Sequence, residues 1–240
     1  MTTRAIILAA GKSKRLGALT EQRPKCLLKL NDATIIDHQI ANLRLNGITD
    51  ITIVTGFCDD MVRAHCGPGF GYILNPVFDT TNSIYSLWLA LREVPGPFVV
   101  MNSDVVFHPD ILKNLLASAH PDALTVSFQS GLGDEEMKVK VKGDRIMDIR
   151  KDMNPAEADG ENVGLLKFCE AGSRVLFAKS TELVARGVVN AWAPRAFQEL
   201  CPTQPIYAVS TNGLPWIEID FPEDLERART EIYPRIVPGK

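Results

Sequence analysis

Basic side chains are concentrated in one short segment of the 240-residue chain. Between Gly11 and Lys25 there are five basic residues and one acidic residue, a local charge of +4 in a chain whose net charge is −3. The basic residues are Lys12, Lys14, Arg15, Arg23 and Lys25. Small and basic residues that directly follow an apolar strand leave backbone N–H groups open to an anion. The segment therefore predicts a phosphate site, with a solvated basic loop as the alternative.

The location of this basic segment favours the phosphate site. The apolar run Ala5–Leu8 directly precedes it and is predicted to form a buried strand. Open α/β sheets bind ligands at the carboxyl ends of their strands. Two common phosphate loops are excluded, because the segment has no G-x-G-x-x-G and Gly17 is followed by Ala18 and Leu19 instead of Lys and Ser or Thr.

Two aspartates are candidate ligands of a hard cation. Asp104 follows the apolar run Phe98–Met101, and the next helix is predicted to begin near Pro109, too far along for Asp104 to cap it. Because Mg²⁺ usually takes one or two carboxylates and completes its shell with water and phosphate oxygens, Asp104 is predicted to bind metal. Asp220 has a competing role, since Glu223 lies three residues later with the spacing of a capping box. The residues alone leave the two roles of Asp220 equally open.

The basic segment resembles the signature of a known family, the nucleotidyltransferases that activate sugar phosphates and alcohol phosphates. That signature reads L-A-A-G-x-G-[ST]-R-L, a short spacer and P-K, and the chain matches it at Leu8, Ala9, Ala10, Gly11, Arg15, Leu16, Pro24 and Lys25. Ser13 replaces the second glycine, and Lys14 replaces the usual Ser or Thr. The resemblance implies that Asp104 is the family's metal-binding aspartate at a strand end. It also implies that Asp220, in the sequence EID shortly before PEDL, is the second metal ligand.

Further segments are similar to those of bacterial choline-phosphate cytidylyltransferases. They are Asn75–Trp88, Glu136–Val139, Arg150–Asp152 and Ala156–Leu165. The resemblance covers nearly the whole chain and is weakest between residues 171 and 210. It implies a Mg²⁺-dependent cytidylyltransferase that transfers CMP from CTP to a small phosphorylated alcohol, with phosphocholine as the leading acceptor, and releases pyrophosphate.

The family pattern implies a role for each matching residue. Arg15 and Lys25 are the expected catalytic residues, which neutralise the triphosphate and the charge that develops at its α-phosphorus. Nucleotide binding is expected of Leu8, Ala9, Gly11, Lys12, Lys14, Asn82 and Ser83, and acceptor binding of Lys138, Lys151, Glu161, Trp192 and Trp216. Lys138 and Lys151 would face the acceptor phosphate, or would instead be exposed residues on one face of a hairpin.

The organic group of the acceptor is open between several chemistries. A quaternary ammonium calls for aromatic rings around it, which Trp192 and Trp216 are expected to supply unless they pack in the core. The expected ammonium partners are Glu135, Glu161 and Glu218. Aminoethylphosphonate, a polyol phosphate and a sugar 1-phosphate are the other acceptors considered. A nucleotide-binding regulatory domain without turnover is the alternative of a different class.

Hydrophobic periodicity predicts the elements that position these residues. Short apolar runs alternate with segments of helical period, which is typical of βαβ units and a mainly parallel sheet. A helix is predicted between Thr34 and Gly47 and another from Ser83, and Gly143-Asp144 predicts a hairpin. We expect an α/β protein with one Rossmann-like, three-layer domain over residues 1–240 and an antiparallel hairpin insertion in its second half. Residues 1–130 would bind the nucleotide and residues 131–240 the acceptor.

Composition excludes several classes of partner. The chain is 45% hydrophobic and 23% charged, and its net charge of −3 gives no overall positive field for nucleic acid or an anionic membrane. The five cysteines are an odd number with no close C-x-x-C pair, which favours a reducing compartment. The N-terminal apolar run is too short for a signal peptide or a membrane span. We therefore expect a cytoplasmic protein without membrane insertion, and a homodimer is left open.

Overall fold

A nine-stranded mixed sheet runs through the protein. The structure is a computed structural model that describes residues 3–129 and 132–237. The strands along the chain are β1 (Arg4–Ala9), β2 (Ile51–Thr55), β3 (Gly71–Leu74), β4 (Phe98–Asn102), β5 (Val105–Phe107), β6 (Ala123–Ser127), β7 (Lys138–Lys142), β8 (Arg145–Arg150), β9 (Gly160–Phe168), β10 (Tyr207–Ser210) and β11 (Trp216–Glu218). The order in the large sheet is β3-β2-β1-β4-β9-β6-β10-β8-β7, while β5 and β11 form a separate antiparallel pair. In the large sheet, β8 and β9 run against the other strands.

Helices cover both faces of the large sheet. They are α1 (Ile35–Leu45), α2 (Asp59–Cys66), α3 (Ser83–Glu93), α4 (Pro109–Ala117), α5 (Glu170–Ala185), α6 (Pro194–Leu200), α7 (Pro222–Arg227) and α8 (Tyr233–Ile236). Because side chains of a strand alternate between faces, Ile6 and Leu8 of β1 pack with residues of α3, α5 and α6. Ala5, Ile7 and Ala9 pack with residues of α1 and α4. The first strand is thus buried on both faces, as its continuous apolar run predicts.

Local sequence explains where the predicted elements begin and end. The Thr34 hydroxyl accepts from the Asp37 backbone N–H at 3.2 Å, and the Asp37 carboxylate accepts from the Thr34 backbone N–H at 3.0 Å. This capping box starts α1, and Gly47, with φ of 79°, follows its end. Strands β7 and β8 pair around Gly143, whose φ is 63°. The boundary predicted between a nucleotide part and an acceptor part, at residues 130 and 131, falls outside the described residues.

The carboxyl ends of β1 and β4 lie at one edge of the sheet. These strands are parallel neighbours, so the segments that follow them, beginning at Ala10 and Ser103, emerge side by side. Strand β9 is antiparallel to β4, and therefore it begins at the same edge, with Glu161 near its start. Three stretches that are far apart in sequence meet here because of strand direction alone.

Candidate active site

The small sheet brings Asp104 and Asp220 together. Val105 of β5 pairs with Glu218 of β11, so the residues just outside this pair are also neighbours. The Ile219 backbone N–H donates to the Asp104 carbonyl oxygen at 3.0 Å. Two aspartates separated by nearly half of the chain thereby reach the same edge of the large sheet.

Lys25 lies between these two aspartates. Its ammonium is 3.0 Å from Asp104 Oδ2 and 2.9 Å from Asp220 Oδ1, and it donates to the Ile219 carbonyl oxygen at 2.7 Å. The residue is only 7% exposed. Burial alone would lower the pKa of Lys25, but the carboxylates of Asp104 and Asp220 outweigh it and raise the pKa above its usual value. Lys25 is therefore a fixed positive charge at the base of the cleft.

Arg15 adds a second cation above Lys25. Its Nη2 is 2.7 Å from Asp220 Oδ2 and its Nη1 is 2.9 Å from Glu135 Oε2. The guanidinium also lies over the Phe221 ring, 5.2 Å from its centroid. Burial would raise the pKa of Asp220, but Lys25 and Arg15 hold it below its usual value. Asp220 is thus an ionised carboxylate between two cations.

Three carboxylates are arranged so that they fit a hard cation. One oxygen each of Asp104, Glu218 and Asp220 lie within 4.8 Å of one another. The Asp104 Oδ1 atom is buried and has no hydrogen-bond partner among the described residues, which is the expected condition of an oxygen reserved for a metal. Burial, followed by the charges of Asp104 and Asp220, raises the pKa of Glu218. Oxygen ligands of this kind suit Mg²⁺, so the donor set fits the predicted ion.

Asp220 does not cap the helix that follows it. The Asp224 carboxylate, not Glu223, accepts from the backbone N–H groups of Asp220 at 3.0 Å and Phe221 at 2.8 Å. This arrangement closes the first turn of α7 and leaves the Asp220 side chain to Lys25 and Arg15. The alternative role that the sequence left open for Asp220 is therefore filled by another residue.

The loop after β1 adopts an unusual backbone conformation. Ser13, which replaces a glycine of the signature, has φ of 52° and ψ of 52°, in the left-handed region that glycine enters most readily. The Thr20 hydroxyl donates to the Ser13 carbonyl oxygen at 2.8 Å and supports this turn. Lys12 and Lys14 are exposed, and Lys12 lies over the Phe57 ring. Neither lysine lines the cleft.

The cleft itself has a volume of about 240 Å³ and receives several of the predicted residues. Those that line it are Leu8, Gly11, Arg15, Lys25, Asn82, Ser83, Asp104, Lys151, Trp192 and Asp220. Ala9 points to the opposite face of the sheet, and Ala10 lines the cleft in its place. Asn82 and Ser83 also support the structure: Asn82 Oδ1 caps α3, and Ser83 Oγ accepts from the Ala193 backbone N–H at 2.8 Å.

A second cavity of about 290 Å³ shares Glu135, Glu218 and Asp220 with the cleft. It is predominantly acidic: its lining includes Glu135, Glu136, Glu161, Glu218, Asp220 and Asp224, with Trp216 and Phe221 as the rings and Arg227 as the basic residue. Glu161 is 6% exposed, and its carboxylate accepts from Gln129 Nε2 at 3.1 Å. Burial, and next the charge of Glu136, raise the pKa of Glu161 to about 7. Trp192 lines the cleft and Trp216 lines this second cavity, so the two tryptophans do not enclose one pocket.

The two lysines expected at the acceptor phosphate are placed differently. Lys151 lines the cleft, 3.3 Å from Glu135 Oε2 and 4.9 Å from the centroid of the Trp192 ring. Lys138 is fully buried outside the cleft lining, and its ammonium donates to backbone carbonyl oxygens. The sequence gives no indication of the burial of Lys138. Lys138 and Lys140 are two residues apart in a strand, so strand alternation predicts that both side chains lie on the same face.

Two charged residues of the site were missing from the expected metal and catalytic set. Glu218 carries a signal in the sequence: it is the last residue of β11 and lies two residues before Asp220, and residues two apart in an extended chain point to the same side. Glu135 lies in an irregular segment between strands and carries no periodic signal.

Among the described residues, no helix has the length and apolar character needed to cross a membrane.

A Rossmann-like sheet with a basic loop after its first strand and paired aspartates at the same edge defines the nucleotidyltransferase class. The chain belongs to the family of MobA-like NTP transferase domains, whose model matches residues 5–200. The CTP:phosphoglutamine cytidylyltransferase of Campylobacter jejuni is 26% identical over 92% of this chain and 97% of its own.

Two further comparisons extend this relationship. The CMP-5'-(3-aminopropyl)phosphonate synthase of Streptomyces rubellomurinus is 32% identical over 52% of this chain and 20% of its own. The solved structure of the CTP:phosphocholine cytidylyltransferase from Streptococcus pneumoniae superposes with a TM-score of 0.78 at 21% identity, covering 95% of this chain and 98% of that one. This last likeness concerns the fold.

Proposed function

We propose that this nucleotidyltransferase is a Mg²⁺-dependent cytidylyltransferase that transfers CMP from CTP to a small phosphorylated acceptor bearing a cationic group, with phosphocholine as the leading acceptor. The observation that carries the proposal is the cluster of Lys25, Arg15, Asp104 and Asp220 at the carboxyl edge of the sheet. Two relatives with cytidylyltransferase or CMP-transfer names support the choice of nucleotide.

The proposed reaction needs no general base. A phosphomonoester has a second pKa of about 6 and is already largely a dianion at neutral pH. One of its oxygens attacks the α-phosphorus of CTP, a new P–O bond forms, and the bond to the β-phosphate breaks with pyrophosphate as the leaving group. Catalysis then consists of bringing two polyanions together in line and stabilising the charge that develops.

Lys25 and Arg15 supply the positive charge for this step. Lys25 is buried and held by three oxygen atoms, so it contributes a charge whose position does not change when the substrates bind. Arg15 is more exposed, and its ion pair with Glu135 is at the rim. We assign to Lys25 the α-phosphate, where charge builds up in the transition state, and to Arg15 the remaining phosphates of the nucleotide. Asp104 and Asp220, with Glu218, would hold Mg²⁺, which when bound offsets the charge of the phosphates.

The acceptor is proposed to lie across the junction of the two cavities. Lys151 would bind its phosphate, because this ammonium lines the cleft on the side of Glu135. The second cavity would receive the cationic group, because its carboxylates outnumber its basic groups and Trp216 and Phe221 offer ring faces. Aminoethylphosphonate is the next acceptor, followed by polyol phosphates and sugar 1-phosphates, which lack the cation.

The cytosine base is proposed to lie at the other end of the cleft. We assign this end of the cleft to the backbone around Leu8 and Gly11 and to Asn82 and Ser83, all of which line the cleft. Asn82 Oδ1 is used by the helix cap, and therefore its amide NH₂ is the group left to read a base.

A grid of substrates tests the proposal. Pyrophosphate release would be measured for the four NTPs against phosphocholine, aminoethylphosphonate, glycerol phosphate and a sugar 1-phosphate. We expect the highest kcat/KM for CTP with phosphocholine, and loss of most turnover in Asp104→Asn with the fold retained. A preference for a sugar 1-phosphate would overturn the cationic acceptor. CTP binding without turnover of any acceptor would favour the regulatory domain.

A further inference from the structure

Lys138 is a fully buried charged side chain that the proposed reaction leaves unused. It lies on β7 and is 0% exposed. Its ammonium donates to the carbonyl oxygens of Lys151 at 2.6 Å, Glu136 at 3.2 Å and Asp134 at 3.5 Å. Among the described residues, no carboxylate oxygen lies within the 4.0 Å of an ion pair with it. Burial of an ammonium is unfavourable unless polar groups replace its lost water, so this one depends on the three carbonyl groups.

The three carbonyl groups belong to two separate segments of the proposed acceptor subsite, which is the region around Glu135 and Lys151 where the two cavities meet. Asp134 and Glu136 flank Glu135 in the segment that leads into β7, and Lys151 follows the end of β8. Glu135 Oε2 is held by Lys151 at 3.3 Å and by Arg15 at 2.9 Å. A single buried ammonium therefore clamps the backbone of Lys151 to the backbone on both sides of the carboxylate that Lys151 contacts.

The position of Lys138 relative to the second cavity gives its charge a further role. Lys138 pairs with Glu161 across β7 and β9, and Glu161 lines the acidic cavity. The positive charges of Lys138 and Lys151 both lower the pKa of Glu161, against burial and Glu136, which raise it. Lys138 thus helps to keep a carboxylate of the second cavity ionised while remaining outside the cavity itself.

We propose that Lys138 is a positioning residue of the acceptor subsite, which acts through Lys151 and the segment of residues 134–136. This proposal rests on the proposed function, because it assigns Lys151 to the acceptor phosphate. Among the described residues, Lys138 makes no hydrogen bond or ion pair with Leu8, Gly11, Asn82 or Ser83 at the proposed nucleotide end, so we expect its effect to be confined to the acceptor.

The variant Lys138→Met tests the proposal, since methionine keeps an unbranched chain and removes the charge and its three donors. We expect the KM for phosphocholine to rise at least tenfold, while the KM for CTP stays within twofold of the original. Lys138→Arg keeps the charge, but its planar guanidinium presents donors in a different geometry, so we expect a smaller rise in the same constant. Lys140→Met is the matched control: Lys140 is on the same strand, is exposed and pairs with Asp159, and its replacement should leave both constants unchanged.

A double-mutant cycle with Lys151→Met separates positioning from a general structural role. If Lys138 acts through Lys151, the rise caused by Lys138→Met should largely disappear when Lys151 is already methionine. Any of three results would overturn the proposal. The first is an equal change in the KM values for CTP and for phosphocholine, and the second is full additivity of the two substitutions in the cycle. The third is an unchanged KM for phosphocholine in both Lys138 variants. If Lys138→Met does not fold, Lys138→Arg in the same cycle decides by the same criteria. An original protein without turnover of any acceptor would refute the proposed function instead.

Discussion

Lys25 lies between the two aspartates of the site. It is buried, its ammonium contacts both Asp104 and Asp220, and its pKa is raised despite its burial because of those two carboxylates. Because these contacts fix the position of the ammonium, it does not have to move when the phosphates react. Electrostatic stabilisation contributes most to catalysis when the stabilising charge is already in place.

Replacing Lys25 should affect the chemical step more than nucleotide binding. In Lys25→Met we expect kcat to fall about 10²–10³-fold, with a change of less than about tenfold in the KM for CTP, because the interaction strengthens as charge builds up at the α-phosphorus. Steady-state kinetics at saturating phosphocholine provides both constants. Lys29→Met, which removes an exposed lysine of the same segment, is the control. A pure KM effect would assign Lys25 to ground-state binding.

Glu161 should make the preference for a cationic acceptor depend on pH. Its pKa is raised to about 7 by burial and by Glu136, so the carboxyl is mainly neutral at pH 6 and mainly ionised at pH 8. We expect the ratio of kcat/KM for phosphocholine to that for glycerol phosphate to increase several-fold between these pH values. The ratio cancels the titration that the two acceptor phosphates share. In Glu161→Gln the ratio should be lower and flat, and a ratio that rises equally in this variant would assign the titration to another group.

At the scale of elements, the small sheet and the start of α7 set the position of Asp220. Strands β5 and β11 bring it beside Asp104, and the Asp224 carboxylate holds the backbone N–H groups of Asp220 and Phe221. The helix cap formed by Asp224 therefore also holds the backbone of Asp220, the aspartate proposed to bind metal.

Removing this cap should lower both stability and activity. Asp224→Ala leaves two backbone donors without their acceptor, and we expect a loss of about 1–2 kcal/mol in the free energy of unfolding. We also expect a reduced kcat, because Asp220 loses its backbone support. Urea denaturation and steady-state kinetics measure the two effects. The control is Glu223→Ala, one position earlier, which should change neither the free energy of unfolding nor kcat. If Glu223→Ala lowered the free energy of unfolding as much as Asp224→Ala does, the assignment of the cap to Asp224 would be wrong.

For the whole molecule, sequence reasoning predicted the features that depend on local pattern. The apolar run of β1, the cap at Thr34 and the turn at Gly143 are local signals, and each element forms where the signal places it. Motif matching placed Lys25, Asp104 and Asp220 in one site, because the family signature carries long-range information that a single strand or helix does not.

Other features depend on packing between distant segments and could not be predicted in this way. Lys138 has the same strand pattern as its exposed neighbours, and it is buried because the segment before β7 folds over it toward Lys151. Trp192 and Trp216 line separate cavities: Trp192 lies in the connection before α6, and Trp216 is the first residue of β11 in the small sheet. The mixed direction of the large sheet results from β8 and β9. The hairpin signal at Gly143 predicts that β8 runs against β7, but no local pattern specifies the direction of β9.

In the proposed reaction, an oxygen of the acceptor phosphate attacks the α-phosphorus of CTP at this site. The most direct measurement uses phosphocholine whose phosphate oxygens are labelled with ¹⁸O, together with CTP and Mg²⁺, and follows the label by mass spectrometry. We expect a CMP-acceptor product that keeps all of the acceptor's label, including the oxygen that bridges the two phosphorus atoms, and unlabelled pyrophosphate. Label in the pyrophosphate, or CMP carrying a solvent oxygen in place of the transfer product, would contradict it.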